Sequence, residues 1–134
     1  MGEGGSVREV RVSLTVEDFE EAVALYGAGL GLSAVEEWDE PHGRGAIFAA
    51  GVATIEILDH RQAGFIDEVE AGQRVSGPVR LALGVASVEE SAEALRRNGA
   101  RTYRGPVETP WGDFNQRLRS PDGMQLTLFQ IDGD

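Results

Sequence analysis

The strongest constraint on this chain is an internal repeat. Residues 10–16, "VRVSLTV", return as Val79–Val85, "VRLALGV", and each copy carries an arginine at its second position, Arg11 and Arg80. Arg11 and Arg80, Val16 and Val85, and Gly31 and Ala100 are all 69 residues apart. Two copies at constant spacing within 134 residues indicate a duplicated unit. The question of function becomes what the two copies hold between them.

Each copy opens on a strand. Val10, Val12, Leu14 and Val16 share one face, and Arg11, Ser13 and Thr15 share the other. In the second copy Val79, Leu81, Leu83 and Val85 alternate with Arg80, Ala82 and Gly84. A helix follows in both. Asp18 with Glu21, and Ser87 with Glu90, have the spacing of capping boxes. Phe19, Val23, Tyr26 and Leu30 form one apolar stripe; Val88, Ala92 and Leu95 match its first three positions. Gly29 and Gly31 end the first helix, and Asn98-Gly99 ends the second.

Three more strands complete each copy. In the first they are 32–39, 46–50 and 52–58, with "EPHGRG" as a hairpin turn. In the fourth strand Thr54, Glu56 and Leu58 share a face opposite Ala53, Ile55 and Ile57. In the second copy the strands are 101–104, 114–119 and 124–131, with "GPVETPWGD" as a long loop and "SPDG" as a tight turn. The pattern predicts one domain, 1–134, of class α+β. It consists of two tandem βαβββ modules, 7–58 and 78–131, related by a pseudo-twofold axis. Residues 59–77 are expected to be a linker in which Phe65, Ile66 and Val69 form at most one helical turn, or else a partner-facing flap. A disordered tail is expected over 1–6. One helix covers only one face of each sheet, so the helices lie outside and the polar faces join as a half-open β cup. A concave polar and aromatic surface is the default place to look for a ligand.

Composition narrows the partners. Acidic residues outnumber basic ones 23 to 12, for a net charge of −11. That field repels nucleic acid and anionic lipid and attracts cations. No apolar run approaches the roughly 20 residues of a membrane span. The opening "MGEGGS" lacks the basic and apolar regions of a signal peptide, and its fit to a myristoylation pattern has no polybasic support. There is no cysteine, which suits a reducing cytosol and excludes disulfides and thiolate metal cages. A cytoplasmic protein is expected.

The segments 16–32, "VEDFEEAVALYGAGLGL", 85–100, "VASVEESAEALRRNGA", 109–113, "TPWGD", and 117–130, "RLRSPDGMQLTLFQ", resemble the vicinal-oxygen-chelate superfamily. That group includes glyoxalase I, extradiol dioxygenases, and the bleomycin- and fosfomycin-resistance proteins. The likeness covers most of the chain, in order and with the right repeat. It implies a homodimer. It also implies that four cup-facing positions, from the first and fourth strands of each module, would hold a metal ion through His, Gln or Glu. Here those positions are Arg11, Glu56, Arg80 and Thr127. A guanidinium stays protonated and has no lone pair to give, so only Glu56 could ligate a divalent ion. The expectation is therefore no metal and no cofactor. Neither histidine rescues the site. If the fourth strand continued, His60 would lie about 13 Å from Glu56, and His42 falls in the hairpin turn. Both read as solvated surface residues.

What replaces the metal stays open in the sequence. An Arg11–Glu56–Arg80 cluster either neutralises itself or presents a spare positive charge to a substrate carboxylate, phosphate or enolate. Trp38 and Trp111 either pack or stack on a planar ligand. Arg117 alternates with Gln116 and Leu118, so it faces the cup or a dimer seam, with Ser13 and Thr127 as further lining residues. "GAGLG" follows a helix instead of opening one, so it is no phosphate loop. Three functions are compatible. The first is a metal-free protein binding a small organic molecule, of the antibiotic-sequestering type. The second is a lyase or isomerase with Glu56 as base and Arg11 or Arg80 holding an enolate. Flanking cations would weaken that base. The third is a noncatalytic homodimeric scaffold.

Overall fold

The computed structural model describes residues 7–131, so the 1–6 tail lies outside the described residues. The first module contains β1 (Val7–Val16), α1 (Phe19–Val23) continued by a π-helical turn (Ala24–Gly29), β2 (Ala34–Glu40), β3 (Gly43–Ala50) and β4 (Ala53–Asp59). A further helix, α2 (His60–Ala71), precedes the second module. That module contains β5 (Val79–Val85), α3 (Val88–Arg97), β6 (Arg101–Thr102), β7 (Val107–Glu108), β8 (Phe114–Arg119) and β9 (Gln125–Gln130). Among the described residues the strands form one open sheet in the order β2-β3-β4-β1-β5-β9-β8-β6, with β7 also on β8.

The repeat is visible in the register. β1 and β5 run antiparallel with Val12 opposite Leu81, Arg11 opposite Ala82, and Ser13 opposite Arg80. Val12 and Leu81 are 69 residues apart, so the pseudo-twofold axis passes between them. β1 pairs in parallel with β4, and β5 in parallel with β9, so each module repeats the other's connectivity.

Strand alternation separates the two faces. On the outer face of the first module Ala46, Phe48 and Ile57 pack with Ala22, Phe19 and Val23 of α1. On that of the second, Leu118 and Leu128 pack with Val88 and Ala92 of α3. Burying each large side chain of this kind contributes about 1.5–3 kcal/mol. The caps form as the spacing requires: Glu21 N–H donates to Asp18 at 3.0 Å, and Glu90 N–H to Ser87 at 3.1 Å. The first helix is shorter than its apolar stripe implies. It widens into a π turn after Val23, where Gly27 lies against the Phe48 ring, and Leu30 ends up exposed.

The largest departure is α2. The segment expected as plain linker holds a three-turn helix, with Asp59 accepting from Gln62 N–H at 2.8 Å and Gly72 closing it at φ 78°. α2 lies on the inner face, where Ala63 and Ile66 pack on Leu58 and Trp38. Two helices therefore cover the outside of the sheet, and a third sits in the cup.

Candidate functional site

Strand parity carries Arg11, Glu56, Arg80 and Thr127 to the inner face, as the repeat requires. Together with α2 they bound a cavity of about 400 Å³. Its wall includes Arg11, Trp38, Glu56, Arg80, Trp111 and Thr127, six of the residues singled out from the sequence. Ser13 and Arg117 face the same side but lie beneath the cavity instead of on its wall.

The expected Arg11–Glu56–Arg80 cluster does not form as a unit. Arg11 Nη2 pairs with Glu9 at 2.7 Å, its Nε donates to Thr54 at 3.2 Å, and its guanidinium lies 5.1 Å from the Phe129 ring centroid. Glu9 is two residues before Arg11 on the same strand face, so it captures the guanidinium first. Glu56 pairs instead with Arg80, Oε1 to Nη2 at 3.5 Å, and accepts a short hydrogen bond from the Ser13 hydroxyl. Ser13 lies opposite both residues in the register, Glu56 on β4 and Arg80 on β5.

The second module's inner face is sealed by a network that the sequence reading missed. Asp67 and Glu70 of α2 reach down to Arg117, which is fully buried. Arg117 Nη1 donates to Asp67 at 2.8 Å and to Gln125 at 3.0 Å, and its Nε donates to Glu70 at 2.9 Å. Its Nη2 is buried without a partner. Thr127 Oγ1 donates to Glu70 at 2.7 Å while accepting from Arg80 Nη1 at 2.7 Å and Arg117 Nε at 3.2 Å. That hydroxyl joins the two buried arginines.

Burial pulls the Arg80 guanidinium below its ordinary range, against the opposing charges of Glu70 and Glu56. Asp67 goes the other way from what burial alone would do. Burial pushes its carboxyl up, but the Ser76 backbone and hydroxyl donors, Arg117 and the Val75 N–H outweigh it and hold the group below the usual range.

The cavity mouth is aromatic. His42 stacks on Phe65 of α2 at 4.0 Å and 10°, and Phe65 meets Trp111 at 5.9 Å. His42 stays exposed at the surface, as expected, yet it also lines the mouth of the cavity and makes a 3.2 Å contact with Gln62. Trp111 keeps 40% of its surface exposed, whereas Trp38 packs against the α2 cluster. His60 begins α2 and meets Glu17 at 3.1 Å, away from the cup. The stripe Gln62, Phe65, Ile66 and Glu70 lines the cavity with helical spacing.

A family model described as Glyoxalase/Bleomycin resistance protein/Dioxygenase superfamily matches residues 9–128. The chain belongs to that superfamily. Solved structures agree on the fold. A hypothetical protein from Bacillus halodurans C-125 superposes with a TM-score of 0.69 at 20% identity, covering 96% of each chain. Methylmalonyl-CoA epimerase from Mycobacterium tuberculosis gives 0.68 at 20% identity, over 99% of this chain and 94% of that one. A superfamily member from Vibrio splendidus 12B01 gives 0.63 at 11% identity, over 94% of this chain and 100% of that one. No curated protein matches by sequence.

The residues at the superfamily's metal positions do not fit a divalent ion. Two are guanidiniums, Thr127 is committed in three hydrogen bonds, and the Glu56 carboxylate is held by Ser13 and Arg80. Among the described residues no three His, Asp or Glu side chains are grouped to hold a metal. Among the described residues no helix is long and apolar enough to cross a membrane.

Proposed function

We propose that this chain binds a small organic molecule in its cup without a metal ion, as a sequestering protein of the antibiotic-binding kind. The observation that carries the reading is the exchange at the four inner positions. Arg11, Glu56, Arg80 and Thr127 are satisfied by protein partners, yet a cavity of about 400 Å³ with an aromatic mouth remains above them. A volume of that order suits a drug-sized ligand. The absence of cysteine is in keeping with a cytoplasmic protein. Exposed Leu25, Leu30, Val35 and Val52 support a homodimer, which light scattering on the purified protein tests directly.

Thermal-shift screening against metabolites and cationic antibiotics tests the binding. A ligand at 100 times its Kd adds about 2.7 kcal/mol, and Trp111→Ala should remove most of that gain. A transition metal bound stoichiometrically through Glu56 would overturn the proposal, and no response to any small molecule would favour a scaffold.

One observation favours a second reading, an isomerase or lyase. Glu56 places a carboxylate on the cavity wall beside the Arg80 guanidinium, a base next to a group able to hold an enolate. Methylmalonyl-CoA epimerases are among the structural neighbours, one of them, from Streptomyces coelicolor, in complex with 2-nitronate-propionyl-CoA. The test is solvent deuterium exchange into acidic carbon centres of candidate thioesters. Glu56→Gln should abolish the exchange and spare binding; no exchange in the native protein removes this reading.

A further inference from the structure

The charge of the ligand, which the sequence leaves open, can be read from the cavity wall. We infer that the cup selects a planar aromatic cation bearing N–H donors. The inference rests on the proposal that the cup is a binding site. Arg11 and Arg80 are the guanidiniums of the wall, and both are spent, on Glu9 and on Glu56. Glu36, Glu40 and Asp113 also line the cavity, all three exposed. Among the described residues none of these three carboxylates makes an ion pair.

A second, independent observation points the same way. Asn115, only 4% exposed, forms part of the wall and gives its amide N–H to Glu70 at 2.9 Å. That bond fixes the orientation of the amide, and Oδ1 is left buried with no partner. An unpartnered buried acceptor is costly until a donor arrives. At the mouth Trp111, 40% exposed and braced by Phe65 at 5.9 Å, offers a flat aromatic surface that attracts positive charge. Unpaired carboxylates, an idle carbonyl oxygen and a π face together describe a seat for a protonated planar amine.

Three probes that share one ring system test this: 2-naphthylmethylammonium, 2-naphthylmethanol and 2-naphthylacetate, titrated calorimetrically into the full chain. The ammonium is expected to bind at least about tenfold more tightly than the acetate at low salt, and added salt should narrow the gap. The exposed Glu40→Gln, Asp113→Asn double variant should cut the preference severalfold without unfolding the protein. Trp111→Ala should weaken the ammonium about tenfold. Equal binding of all three probes, or preference for the acetate, overturns the charge assignment and leaves cup binding standing. Ammonium binding that ignores Trp111→Ala belongs to the acidic outer surface and also overturns it. No binding by any probe overturns both the assignment and the proposed site.

Discussion

Arg117 shows how much of the inner face depends on single charged groups. It is wholly buried and bridges two acidic residues of α2 to Thr127 and Gln125 of β9. Removing one partner of a buried ion pair is far more costly than its presence is stabilising, because the remaining charges are stranded. Arg117→Met should therefore cost about 3–5 kcal/mol, measured by urea denaturation. Asp67 supplies a pH signature. Its carboxyl titrates lower in the folded chain than in the unfolded one, so its contribution is full above the ordinary aspartate range near about 4. That contribution is lost as pH falls toward its depressed folded value. Acid unfolding monitored by circular dichroism should show a stability loss below about pH 4 that Asp67→Asn largely flattens. Parity alone places Arg117 on the inner face. Its acidic partners were not legible, because no spacing rule ties residues 67 and 70 to residue 117.

At the scale of elements, α2 is the part that the repeat could not announce. It belongs to neither copy, so self-similarity carries no trace of it. Yet Asp59 followed three residues later by Gln62 is the same entry signal that located α1 and α3, and Gly72 is a ready stop. The helix was readable, then, from local chemistry that the low apolar content of 59–77 obscured. Its seat on β3 depends on a glycine. Gly43 has φ 141°, and a Cβ there would fall on the Gln62 backbone, whereas Gly51, at φ 68°, has open space around it. Gly51→Ala should cost about 1 kcal/mol from backbone strain alone. Gly43→Ala should cost about 3 kcal/mol and weaken ligand binding as well, because it displaces a cavity wall. Parallel thermal melts and titrations of the two variants separate strain from displacement.

At the scale of the molecule, the two modules share one sheet through β1 and β5 and are tied a second time through α2 and Arg117. They should unfold together, as one cooperative transition. Trp38 lies in the first module and Trp111 in the second, and the chain has two tryptophans. Urea melts of Trp38→Phe and Trp111→Phe, each reporting on the other tryptophan, should coincide with far-ultraviolet circular dichroism; two separated midpoints would show independent halves. The duplicated architecture and strand parity were legible because periodicity dictates them, whereas the choice of Arg11, Glu56, Arg80 and Thr127 as the four inner positions came from the superfamily resemblance. The pairing among the charges was not, because Arg11 had a nearer acid in Glu9 than in Glu56.

A duplicated chain would be expected to offer two equivalent seats, one per copy. α2 prevents this: it belongs to neither copy, packs on Leu58 and Trp38 of the first module, ties to Arg117 of the second, and bounds a cavity walled by residues of both. Occupancy should accordingly saturate at one guest per chain, and that guest must enter in a single orientation, since the two ends of its berth are no longer alike.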